Sequence, residues 1–257
     1  MTLPASGGMT GAQIRTELGQ PGGNLDFTPT VRWLADKPTG DLILPTDLYS
    51  KVSVKTVTGQ RQQALGSTGS VTWVGMPFGI DYPGRVLVAC TCLRGSGTLD
   101  QTSVTIGGVA AAGGDAGLDP GVGLSIGAGI WSASGVTGTS GNVTINFTSG
   151  TLDYGAIVML SMSNAVFSGG SPVINGNGSS FASALTVPAQ GIGLMVVANT
   201  TGNSMSLSGI TKRVEMLAGS FAFAVCYNNK MAGGSTAVSG NFGAAAPYGV
   251  FVRSYTQ

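Results

Sequence analysis

From residue 70 to the C-terminus, short apolar runs alternate with clusters of Gly, Ser, Thr, Asn and Asp. Several runs place a hydrophobic side chain at every second residue: Val104 and Ile106; Val143, Ile145 and Phe147; Val250 and Val252. Successive side chains of a strand point to opposite faces, so a period of two marks a strand with one face in a core. The runs are rich in Val, Ile, Thr and Phe, and no helical period is sustained long enough to compete. The pattern predicts strands over 71–74, 85–93, 103–109, 123–132, 142–148, 154–163, 184–187, 191–198, 204–210, 221–228, 236–242 and 248–255. The expected body, residues 62–257, is an all-β antiparallel β-sandwich of jelly-roll-like type.

The strand series echoes itself, with sub-repeats at 85–165 and 184–257. In each, an apolar strand leads to a Ser/Thr-rich strand ending in Gly. A long apolar strand and a polar loop follow. A strand with alternating Val comes next, and a last apolar strand opens with Tyr-Gly, at Tyr154-Gly155 and Tyr248-Gly249. The echo predicts two pseudo-repeated halves, either of one large sandwich or of two stacked small ones. Gly169–Ser180 reads as the loop between them.

Residues 1–61 have a different pattern and carry 11 of the 23 charged side chains. Thr10 with Gln13 forms a capping box that predicts a short helix through Ile14 and Leu18, stopped at Gly19. Thr28-Pro29 starts a second turn or two, ended by Lys37-Pro38. Thr46-Asp47 is a weaker third start. Helices this short are marginal alone, and the few apolar residues here cannot build a core of their own. The segment therefore packs on a host surface. The alternatives are its own sandwich and another protein, and we expect the latter. The anchors would be Leu3, Ile14, Arg15, Leu18, Val31, Trp33, Leu34, Leu48 and Tyr49.

These residues carry a resemblance. Met1-Thr-Leu-Pro-Ala-Ser-Gly-Gly-Met-Thr-Gly-Ala-Gln-Ile-Arg-Thr-Glu-Leu-Gly19, then Val31-Arg-Trp-Leu-Ala-Asp-Lys-Pro-Thr-Gly40 and Asp47-Leu-Tyr-Ser-Lys51, resemble a two-part leader found on virion proteins of tailed bacteriophages. The likeness covers residues 1–51, with both parts in the expected order and spacing. Trp33, Pro45 and Ser50 depart from the usual pattern. The resemblance implies a non-enzymatic structural component of a phage particle, in the tail, neck, collar or fibre. Its implied partners are other virion proteins, with further copies of itself in a homo-oligomer. It would be made in the host bacterial cytoplasm and end in the virion. The alternative is a virion-borne receptor- or carbohydrate-binding module with a host-surface glycan as partner.

Composition narrows the chemistry further. Hydrophobic residues make up 42%, enough for a core, and net charge is +1, with no basic stripe for nucleic acid. The N-terminus lacks a secretion-signal pattern, and residues 154–162, the most apolar stretch, are too short to span a bilayer. There is no histidine, so a Ser-His-Asp triad is impossible and the commonest metal ligand is missing. No cofactor or metal is expected. Asp115 and Asp119 in a Gly-rich loop are too few to hold a cation, and no acid pair stands out for glycoside hydrolysis. Asn142-Val-Thr and Asn146-Phe-Thr match the glycosylation sequon but read as ordinary strand residues. Cys90 and Cys92 share a strand face, and Cys226 lies in the comparable strand of the second repeat. Buried small hydrophobes are the first reading for all three, and an intersubunit disulfide the sharper one. Trp73, Phe78, Tyr82 and Trp131 are either core or surfaces for a sugar to stack on, with core preferred.

Overall fold

The computed structural model describes residues 53–256, apart from 83, 119–123, 171–173, 219–220 and 230. The predicted leader helices, every anchor residue named above and Asp119 lie outside the described residues. Within them the chain is all-β: two antiparallel sheets form a sandwich.

The first sheet contains β1 (Ser53–Pro77), β2 (Arg85–Gly97), β3 (Gln101–Ile106), β4 (Val109–Leu118), β5 (Ser125–Ser134) and β6 (Ser140–Ser163). Its order is β1-β6-β2-β5-β4-β3, and β3 also pairs with β6. After β7 (Val166–Gly170), the second sheet contains β8 (Ile174–Val187), β9 (Ile192–Asn199), β10 (Ser206–Ser208), β11 (Lys212–Leu217), β12 (Ala222–Asn228) and β13 (Gly234–Thr256). Here the path is β10-β13-β9-β12-β11, with β7 and β8 both on β13.

Apart from β7 and the β3–β4 ladder, the two orders match. β6 pairs with β1, β2 and β3 as β13 pairs with β8, β9 and β10, while β2-β5-β4 matches β9-β12-β11. Register agrees as well. Gly155 after Tyr154 faces Leu93, and Gly249 after Tyr248 faces Ala198. A row Ser70–Asn146–Ser103 crosses the first sheet, and Ser180–Asn241–Ser206 crosses the second at the matching place. The repeat therefore reaches further outward than the sequence echo: β1 is the counterpart of β8. β1 also begins at Ser53, so residues 53–61, grouped with the leader by their charge, already pair with β6.

Three cores explain why the runs read as they do. One lies between the sheets and takes Val86, Val88, Cys90, Val158 and Leu160 from the first half, and Leu194, Val196, Phe221 and Phe223 from the second. Another fills the first half behind its own sheet, around Trp73, Phe78, Leu87, Trp131 and Ile157. The third fills the second half, around Phe181, Met195, Cys226, Phe242 and Val250. β2 and β9 are sandwiched between two cores, so residues 85–93 and all of β9 are buried on both faces. Such strands lose the period of two and become continuous apolar runs. The architecture is thus two small sandwiches stacked through a shared core.

The ladder β6-β2-β5-β4-β3 closes back on β6 around the first half's core. In the second half, β10 and β11 share no ladder among the described residues, and side chains span the gap. Glu215 accepts from Met205 N–H at 2.7 Å and from Ser204 Oγ at 2.8 Å, while Lys212 Nζ donates to Met205 O at 2.7 Å.

Several segments differ from the sequence expectation. Residues 142–163 and 236–255, each read as two strands with a loop, are single long strands. The chain bends there instead of breaking: register shifts fall between Arg94 and Gly95 beside β6, and between Asn241 and Ala246 of β13. Gly243 adopts φ +76° at the second bend, a left-handed conformation that favours glycine. The run containing Gly113-Gly114, read as a loop, is β4. A Cβ on Gly113 would lie 2.5 Å from the ring of Trp131, its cross-strand partner. Likewise the Asn-Gly-Asn-Gly run, read as the inter-repeat loop, lies in β8, where Gly176 passes under Tyr248. Both glycines are strand residues that make room for an aromatic ring on the next strand.

Candidate functional site

All three cysteines are free and buried. Cys90 and Cys92 do share a face, pointing into the core between the halves, and Cys226 points into the second half's core. Burial raises the Cys90 and Cys92 thiols well above the ordinary range and pushes Cys226 up to about 12. A crosslink between copies needs a sulfur at the surface and some thiolate to react. Buried as they are, these three sulfurs fit the first reading, that of small core hydrophobes. Trp73, Phe78, Tyr82 and Trp131 are buried as well. They are core residues, and no sugar can stack on them.

Several body acids are tied to the backbone. Asp81 accepts from Gly138 N–H at 2.6 Å and pairs with Arg85 at 3.3 Å. Burial pushes Glu215 up, but bonds from Lys212, Met205 N–H and Ser204 outweigh it and leave the carboxyl below its usual value. Asp115 accepts from Gln101 N–H at 2.8 Å, holding the start of β3 to β4. Burial, with a smaller push from nearby Asp100, raises it to about 7 against that bond. Beside it, Gln101 Oε1 accepts from Thr91 Oγ1 at 2.6 Å and from Trp131 Nε1 at 3.0 Å. Among the described residues no group of three or more Cys, Asp or Glu is placed to hold a metal ion.

Among the described residues, one arrangement that presents chemistry to solvent is the outer face of the first half. Strand pairing sets Ser70 and Thr72 of β1 beside Asn142, Thr144 and Asn146 of β6, and Ser103 and Thr105 of β3. Their neighbours Val71, Trp73, Val143, Ile145, Val104 and Ile106 face the core, so the seven polar residues are forced to the other face. Thr72 and Thr144 hydroxyls lie 2.9 Å apart, and Asn146 Nδ2 donates to Ser103 Oγ at 2.9 Å. Asn142 Oδ1 accepts from Gly75 N–H at 3.2 Å, which leaves its amide N–H groups directed elsewhere. At one end this face runs into an open cleft of about 490 Å³. Thr105, Thr137, Ser140, Asn142 and Thr144 line it together with Gly107, Gly108 and Gly141.

Arg85 holds the cleft's edge. Its side chain is 1% exposed and donates to Ile80 O at 3.1 Å, Val136 O at 2.7 Å and Gly138 O at 2.8 Å. Those bonds fix the β5–β6 loop that supplies Thr137. In the sequence Asn142 stands out only as a sequon, and Thr105 and Thr144 only as residues of their strands. The signal was present as polar residues alternating with Val143 and Ile145, but nothing in one strand tells which strands flank it. No family model matches this chain, and no curated protein or solved structure matches it either.

Proposed function

We propose that the protein is a non-enzymatic structural component of a tailed-phage particle, held there by residues 1–51. The observation that carries this reading is the two-part leader, ordered and spaced as in such virion proteins and joined within two residues to the first strand of the body. The body suits a display or architectural role. It is a double sandwich with a shared core, its cysteines are inert, and its acids largely serve backbone contacts. In this reading Leu3, Ile14, Arg15, Leu18, Val31, Trp33, Leu34, Leu48 and Tyr49 dock on a neighbouring virion protein, and copies of the chain associate in the particle. A few buried aromatic and aliphatic anchors dominate most interfaces of this kind.

The test is incorporation. Chain with Ile14→Asp and Trp33→Ala, and chain lacking residues 1–51, should keep the wild-type thermal melt of the body. Both should be absent from purified particles. A folded variant that enters particles at the wild-type level would overturn the proposal.

A further inference from the structure

We infer that the outer face of the first half, centred on Thr105, Asn142 and Thr144, binds a neutral saccharide. The inference does not depend on the leader or on attachment to a particle.

The chain contains its own control. The second half builds the same strand order with Ser208, Ala237 and Ser239 where the first half has Thr105, Asn142 and Thr144. Thr72 corresponds to Ala182, since each lies opposite the central strand residue of its row. The neighbouring Ser-Asn-Ser row, in contrast, is identical in the two halves. The fold therefore requires polar or small residues on this face, and the Ser-Asn-Ser row meets that need twice. It does not require Thr72 or Asn142, which are Ala182 and Ala237 in the second half, whereas Thr105 and Thr144 remain hydroxyl residues there as Ser208 and Ser239. The Asn142 carboxamide is what the first half adds, and it lies in the cleft beside Thr105 and Thr144.

The chemistry of the cleft selects its ligand. At about 490 Å³ its size is that of small-ligand sites. None of its lining residues is charged, so an anionic or cationic ligand would meet no countercharge. The charged groups at its edge, Asp81 and Arg85, are paired with each other. The lining holds no Trp, Tyr, Met or Arg, the residues that anchor protein partners. It does hold four hydroxyls and one carboxamide, each able to donate and accept. Sugar hydroxyls need that mixture of donors and acceptors without net charge. Val74, 65% exposed and next to the Gly75 that binds Asn142, offers an apolar contact for the C–H face of a sugar ring.

The experiment uses the full chain on an array of neutral and charged glycans, followed by calorimetry with the strongest neutral oligosaccharide. Asn142→Ala and Thr144→Lys should each weaken binding about tenfold or more, the effect of losing one or two hydrogen bonds. Ser239→Lys, at the matching site of the second half, should bind like wild type. Thermal melts establish that each variant is folded. The inference is overturned if only charged glycans or none bind, if folded Thr144→Lys binds like wild type, or if Ser239→Lys loses binding equally. Failure here leaves the attachment proposal standing, because that is read from particle incorporation and not from the body's ligand.

Discussion

Replacing Arg85 by Met removes a guanidinium but keeps much of the buried stem, so it isolates the polar role of this side chain. Three carbonyl acceptors and the Asp81 carboxylate lose their donor at once. Hydrogen bonds to a charged group contribute about 1.5–3 kcal/mol each, and a buried acceptor left without a partner costs about 1–3 kcal/mol. Val136 O is fully buried, whereas Ile80 O and Gly138 O lie nearer solvent and regain water. Asp81 is 42% exposed, which screens its ion pair, so little should be ascribed to that contact. One full penalty and two partial ones give a loss of about 3–4 kcal/mol. Arg85→Lys keeps the charge and reaches one or two of the carbonyls, so about half that loss is expected. Urea unfolding followed by Trp fluorescence measures both, since Trp73 and Trp131 are buried in the same core and report on it directly. A midpoint for Arg85→Met that corresponds to less than about 1 kcal/mol would refute the reasoning, because the loop would then be held by something else. The loop supplies Thr137 to the cleft, so Arg85→Lys should also weaken ligand binding while the protein stays folded.

Three further outcomes follow from the same geometry. Asp115 has a folded pKa of about 7 against 3.8 for a free carboxyl, so between those values the folded chain holds more protons than the unfolded one. Stability should therefore fall as pH rises from about 4 to about 7 and level off above that, relative to Asp115→Asn; equal pH profiles for the two proteins would refute this. The three thiols should ignore a thiol-specific dye in native buffer and react fully in denaturant, with only monomer on a non-reducing gel. Gly113→Ala should cost about 1–3 kcal/mol by pushing on Trp131, whereas Gly66→Ala, whose added methyl would meet nothing within 4 Å, should be neutral in thermal denaturation.

The class of the fold and most of its strands were legible in the chain's polar and apolar pattern. Val143, Ile145 and Phe147 alternate with Asn142, Thr144 and Asn146, and a strand leaves such a pattern only one way to face a core. The duplication was also legible, since Tyr154-Gly155 and Tyr248-Gly249 open matching strands. The burial of Cys90, Cys92 and Cys226 followed from their apolar runs. Tertiary structure decided what depends on partners far away in the chain. Whether Gly113 and Gly176 sit in loops or strands was settled by Trp131 and Tyr248 lying over them, which no local propensity encodes. The choice between one large sandwich and two stacked ones depended on a core forming on each side of β2 and β9, and a continuous apolar run is compatible with either. The polar face needed three strands, 72, 105 and 144 being its central row, to be brought side by side. Period two is a local property of the backbone and survives in one dimension. Neighbour identity in a sheet is not local, because the pairing that places Thr72 and Thr105 on either side of Thr144 is set by the closure of the whole half around its core.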